Sequence, residues 1–276
     1  MQNKLLCPFI LATLAIHGPA LAADTSPVAE YAISGNVGFT SDYVFNGISQ
    51  SFRSPALQGG FDYVRTDGVY LGTWASSVSG NQYTNASLEW DIYGGYNGKV
   101  DDDLGYNIGL MSVVYPGGKA YNTTPDSGKK WNTTEVIVGT TWKGLNVKYT
   151  HTLTDWYGIN TGGFTPVMWA DGSSTADSAG GQSSKGSGYV EANYTLEIAE
   201  GSSITAHAGH QKIKNFSKLN YTDYKLALNK AYAGFNVGLA YTRTNATDNT
   251  LYHVIANGDD RKLSGGILAL FAGRSF

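Results

Sequence analysis

The sequence predicts an all-β, transmembrane, up-and-down antiparallel β-barrel of about twelve strands, with short periplasmic turns and long extracellular loops. Three observations predict it. Short stretches alternate apolar and polar residues, the period-two pattern of a strand whose faces meet different surroundings. Their connections are tight, then long, then tight again, and a soluble sandwich has no reason to segregate long loops to one end. The chain also opens on an export signal.

That signal has Lys4 as its positive start, Leu5 to Ile16 as its apolar core and Ala20-Leu21-Ala22 as a small-residue cleavage site. The apolar run is shorter than the roughly 18 residues of a spanning helix. Residues 1–22 are therefore read as a cleaved signal peptide and residues 23–276 as the outer-membrane barrel. Cys7 is the only cysteine and leaves with the signal, so the mature chain has neither disulfide nor thiolate metal site. Without Lys4 the chain carries 18 basic and 22 acidic residues, a balance that argues against nucleic acid as a partner. Gly is abundant at 35 residues and Pro sparse at 7, which suits long strands joined by turns.

Each strand is read from its alternation. The first covers Tyr31–Phe45, with Ile33, Val37, Phe39, Tyr43 and Phe45 on one parity. The second, Ala56–Arg65, sets Leu57, Phe61 and Tyr63 against Asp62, and Thr66-Asp67-Gly68 turns the chain. The third, Val69–Val78, is apolar on both parities and its faces stay unassigned. In the fourth, Ser87–Tyr96, Leu88, Trp90 and Ile92 oppose Glu89 and Asp91. The fifth, Leu104–Tyr115, points Ile108 and Leu110 outward and Asn107 and Gly109 inward. The sixth, Asn132–Trp142, sets Val136 and Val138 against Glu135.

Lys143-Gly144 leads into the seventh strand, where Leu145, Val147 and Tyr149 oppose Asn146, Lys148 and Thr150. In the eighth, Gly188–Leu196, Val190 and Tyr194 oppose Glu191 and Asn193. The ninth, Ser203–Lys212, is weaker, with Ile204 and Ala206 against Thr205 and His207. The tenth sets Tyr224, Leu226 and Leu228 against Asp223, Lys225 and Asn229, and the eleventh Val237, Leu239 and Tyr241 against Asn236, Gly238 and Thr242. The last runs to Phe276, with Leu268, Leu270 and Ala272 on the parity of that terminal ring. Aromatic residues near strand ends, among them Tyr43, Tyr63, Tyr96, Tyr115, Trp131 and Trp142, read as two interfacial girdles, with Phe45, Trp156 and Tyr241 beside them. The competing reading, a soluble all-β fold with aromatics in its core, would need a polar exterior.

The stretch Thr40-Ser41-Asp42-Tyr43-Val44-Phe45-Asn46-Gly47-Ile48-Ser49-Gln50-Ser51 resembles the opening signature of the TorF-type porin family, proteobacterial outer-membrane proteins of unestablished substrate. Later blocks resemble it too, including Leu88-Glu89-Trp90-Asp91-Ile92-Tyr93-Gly94-Gly95-Tyr96, Gly209-His210-Gln211 and the ending Arg274-Ser275-Phe276. The resemblance implies an outer-membrane barrel of porin type. It departs at Asn46, where that family commonly carries arginine.

Under this facing the candidate pore-lining residues are Asp42, Asp62, Glu89, Asp91, Glu135, Glu191 and Asp223, with Lys148 and Lys225. Carboxylates around a pore favour cations, because a low-dielectric wall cannot screen them. Seven acids against two lysines exceed what pairing can neutralise, which favours a wet interior. The connection across 156–187, with Pro166, Met168 and Trp169, is long enough to narrow the mouth or to lie outside as a flap. Asp171 and Asp177 lack the ligand spacing of a calcium loop, so neither metal nor cofactor is expected. The expected function is passive diffusion of small hydrophilic solutes, and the expected partners are outer-membrane lipid and, through Phe276, the barrel-assembly machinery. Two other classes compete. A barrel-type lipid or peptide hydrolase would need a nucleophile beside one of His151, His207, His210 and His253. A structural or adhesin barrel would fit about eight strands better than twelve.

Overall fold

A computed structural model describes residues 30–120, 128–161, 167–175 and 182–276. The proposed signal peptide, residues 1–22, lies outside the described residues, as do Pro166 and Asp177. Twelve antiparallel strands close into one barrel, each paired with its neighbours in sequence. They are β1 (Tyr31–Thr40), β2 (Ala56–Arg65), β3 (Val69–Ser77), β4 (Leu88–Lys99), β5 (Leu104–Val114) and β6 (Thr133–Trp142). There follow β7 (Leu145–Thr152), β8 (Gly188–Ala199), β9 (Ser202–Lys212), β10 (Tyr221–Tyr232), β11 (Phe235–Thr244) and β12 (Gly266–Ser275). The first strand meets the last in register from Asn36↔Ser275 to Thr40↔Phe271. Closure gives each of the twelve strands a neighbour on both sides.

The short connections follow from turn chemistry. Ala233 and Gly234 both take positive φ, 49° and 80°, as a two-residue hairpin turn requires. The other end carries the long connections, three of which form small hairpins of their own: Val44–Phe45 with Ile48–Ser49, Lys119–Ala120 with Lys129–Lys130, and His253–Ala256 with Asp259–Lys262.

Polarity is reversed relative to a soluble barrel. Ile33, Phe61, Leu71, Ile108, Leu226 and Leu268 are all exposed on the outside, while Asp62, Glu89, Asp91, Asn107, Glu191 and Asp223 are buried within. The third strand resolves into Leu71, Thr73 and Ala75 outward and Tyr70, Trp74 and Ser76 inward, because its inward aromatics pack inside the barrel rather than face lipid.

The first strand is shorter than its alternation suggests. It leaves the wall after Thr40, whose hydroxyl donates to the Asp42 carbonyl at 2.8 Å. The following residues turn into the barrel. Asn46 and Gly47 form the tip of that inward hairpin, with φ of 45° and 79°. Asparagine tolerates this left-handed backbone. Gly47 meets two demands at once: a Cβ there would sit 2.7 Å from the Asp223 Cβ on β10 and 2.9 Å from the Thr244 Cβ on β11. The tip therefore touches the far wall.

Candidate functional site

The barrel interior divides into two levels. Toward the short turns it is lined by Asn36, Asn97, Asn146 and Asn229, with Thr205 and Ala240, all partly accessible. Toward the long connections it is packed. Segments from six connections enter the mouth, bringing Tyr43, Ile48, Tyr83, Trp131, Trp156, Leu219 and Tyr252 into one buried cluster. Tyr83 stacks on Tyr115 at 4.3 Å and meets Trp131 edge-on at 5.3 Å, and Tyr221 meets Tyr252 at 5.9 Å. A cavity of about 60 Å³ remains between these rings, with Glu135, Gln82 and Gln211 at its surface.

This corrects one expectation and bears on an alternative that the sequence leaves open. Tyr43, Tyr115, Trp131 and Trp156 do not form an interfacial girdle but fill the mouth, and Phe45 packs against them. Burying rings of that size removes far more apolar surface from water than an interface would. Tyr96, Trp142 and Tyr241 are exposed on the outside. The connection across 156–187 narrows the mouth with its described part: Ile159 and Val167 are buried, although Met168 is exposed.

The nine candidate residues fall into three groups. Asp42 lies beyond the wall, in the inward hairpin, because the strand ends at Thr40. Its Oδ1 accepts from Ser49 and Ser51 at 2.6 and 3.0 Å, and Arg53 approaches Oδ2 at 4.0 Å. Burial nevertheless dominates and raises its carboxyl above the usual range.

Asp62, Glu89, Asp91 and Glu135 form an acidic wall on β2, β4 and β6. Hydroxyl groups hold most of it: Tyr93 donates to Asp62 at 2.7 Å, Tyr43 to Glu89 Oε1 at 2.6 Å, and Tyr115 to Glu89 Oε2. Asp91 is 1% exposed, and its Oδ1 meets no donor among the described residues.

Lys148, Glu191, Asp223 and Lys225 form an opposite, balanced wall on β7, β8 and β10. Lys148 Nζ meets Glu191 at 2.5 Å. His207 on β9 joins the two acids, with Nδ1 3.4 Å from Glu191 and Nε2 2.8 Å from Asp223. Tyr189 donates to Asp223 at 2.9 Å. His207 thus joins the inward set: parity places it in the lumen, but only the pairing of β9 with β8 and β10 brings it to Glu191 and Asp223. The hydroxyl beside His207 belongs to Tyr189, a poor nucleophile, and both ring nitrogens are engaged, Nδ1 with the Asn193 amide oxygen at 2.8 Å and Nε2 with Asp223. Among the described residues no three His, Cys, Asp or Glu side chains are arranged to hold a metal ion.

A model of the family described as "Bacterial protein of unknown function (Gcw_chp)" matches residues 23–269, and the chain belongs to that family. No curated protein matches the sequence. Among solved structures, the KdgM porin superposes with a TM-score of 0.50 at 8% identity, covering 88% of this chain and 99% of that one. The NanC porin gives 0.48 at 11% identity, covering 88% and 98%. The COG4313 outer membrane channel from Pseudomonas putida F1 gives 0.46 at 14%, covering 92% and 100%. The likeness to the KdgM porin is one of fold.

Proposed function

We propose that this member of the Gcw_chp family is an outer-membrane channel of porin type, passing small hydrophilic solutes with a weak preference for cations. The observation that carries this reading is the reversed polarity of a closed barrel, apolar outside and charged within. Hydrocarbon is the surrounding that makes an apolar exterior favourable, and a barrel satisfies every backbone group there. The short turns then face the periplasm and the long connections the exterior. The resemblance of 40–51 to TorF-type porins supports the same reading, as does an export signal removed after Ala22. Phe276, exposed at the last strand's end, is the contact for the assembly machinery.

The path runs between the acidic and the balanced wall. Lys148 and Lys225 lie beside Glu191 and Asp223, so the surplus charge rests on Asp62, Glu89, Asp91 and Glu135, with Asp42 above them. That surplus favours cations. The inward segments set the narrowest part, so solute passage needs them to yield.

Conductance in planar bilayers tests this. Stepwise currents with cation-selective reversal potentials are expected, and Glu89→Gln with Asp91→Asn should reduce the selectivity. Lack of current, or an unchanged reversal potential in the double variant, would remove these side chains from the path.

A further inference from the structure

The outer face is not uniform around the barrel. Between β7 and β11, the outward positions near the long connections carry His151, His210, Lys212 and Arg243, with no acid among them. Around the rest of the circumference, positions such as Leu57, Leu88, Trp90, Ser112, Val114 and Thr134 face out at that end, none of them basic.

The connections extend the same flank. The Lys214 ammonium and the His151 ring lie 3.6 and 3.8 Å from where a Cβ on Gly186 would stand, which brings Lys214 beside the outward face of β7. Lys185 is exposed next to that glycine. Arg243 lies within β11 itself, paired in register with Tyr224 of β10, and it is exposed. Among the described residues, Lys212, Lys214 and Arg243 form no ion pair and no side-chain hydrogen bond.

An arginine on a lipid-facing strand is unfavourable to a degree that falls toward the interface, and an anion at that height reverses the balance. Phosphate fits the donor set. Arginine binds it with two parallel N–H bonds, and lysine binds it as a point charge. On the reading of this chain as an outer-membrane barrel, we propose that the β7–β11 flank is a docking surface for a phosphorylated lipid of the outer leaflet. One phosphate sits at Lys212 and Lys214 and the other at Arg243, which the register sets level with Ala208, four residues down β9 from Lys212; the imidazoles of His151 and His210 lie on the same flank, and the acyl chains lie along Tyr194 and Leu226 below.

Native mass spectrometry of the full mature chain in detergent, with bisphosphorylated lipid A or its dephosphorylated form added, tests the proposal. The wild-type barrel should retain the bisphosphorylated form preferentially. Lys212→Gln, Lys214→Gln and Arg243→Gln together should weaken retention by roughly 100-fold, at the scale of one lipid-facing cation each. Lys230→Gln with Arg274→Gln, at the short-turn end, should leave it unchanged. Equal retention of the two lipid forms by the wild type overturns the proposal without any variant, and so does full retention by the triple variant. Selective capture of an acidic protein in place of lipid also overturns it. A chain that fails to insert into vesicles sinks the channel reading and this surface with it. A conducting barrel indifferent to lipid phosphorylation sinks the surface alone.

Discussion

The two ends of the barrel are built from the same strands by different rules. At the short-turn end each residue is placed by its own strand: odd and even positions alternate, turns are tight, and the interior is lined by small and amide side chains. At the long-connection end, strand residues such as Met111, Ile137 and Tyr221 pack against residues that no barrel strand carries. The hairpin across 44–49, the segment around Tyr83 and the turn Trp156–Gly158 all enter from outside the ladder. The wall is a local object, whereas the mouth is a tertiary one.

Four changes sharpen the contrast, beginning with the largest. Ile159 is fully buried in the mouth, so Ile159→Ala should cost about 2–5 kcal/mol in urea unfolding from detergent. Val64→Ala at the short-turn end, where the residue is partly accessible, should cost clearly less. Equal losses would mean the mouth is no better packed than the rest.

On the outer face, Leu226 is 55% exposed, and Leu226→Arg should destabilise the barrel by roughly 2–4 kcal/mol if it lies near the bilayer centre. Thr205→Arg, on the partly accessible inner face, should be mild.

Gly47→Val strains a positive-φ site and drives a side chain into Asp223 and Thr244. It should displace the inward hairpin at a strain of about 1–3 kcal/mol. Single-channel current should rise, and an unchanged current would show that the hairpin does not obstruct the path.

The smallest effect concerns pH. His253, in the exposed hairpin 253–262, hydrogen-bonds Asp260, and that bond together with the charges of Asp248 and Asp260 raises its pKa above the ordinary histidine value. A raised folded value means the stabilisation is complete below about pH 6.5 and fades as pH climbs through the folded value. Amide exchange in this hairpin should therefore be slower, relative to the intrinsic rate, at pH 6 than at pH 9. His253→Gln should remove the difference.

The same division explains how much was legible in the sequence. Leu226, Ala227 and Leu228 reveal their faces by alternation, since every second residue meets the same surroundings. The twelve strands and the shared face of Glu89 and Asp91 follow from that rule, whereas turning that face inward took the loop asymmetry, the export signal and Phe276 as well. Tyr43 follows the parity of β1 as well, yet it is buried, because alternation does not say where the chain leaves the wall. The cue available was local: Asn46-Gly47, a favoured two-residue turn, sits inside what alternation reads as strand and loop. The link from His207 to Glu191 and Asp223 depends on cross-strand register, which is fixed only once neighbouring strands are paired.

Spin labels placed one at a time along β10, from Tyr221 to Tyr232, give the most direct test of the whole account. Residues 23–276 contain no cysteine, so each label is unique in a chain of that span. In bilayers, labels at 224, 226 and 228 should collide with dissolved oxygen, and one at 229 with a water-soluble nickel chelate, while one at 223 should meet neither. Nickel access at 223 matching that at 229 would contradict the packed mouth, and oxygen access without the two-residue alternation would contradict the barrel in lipid.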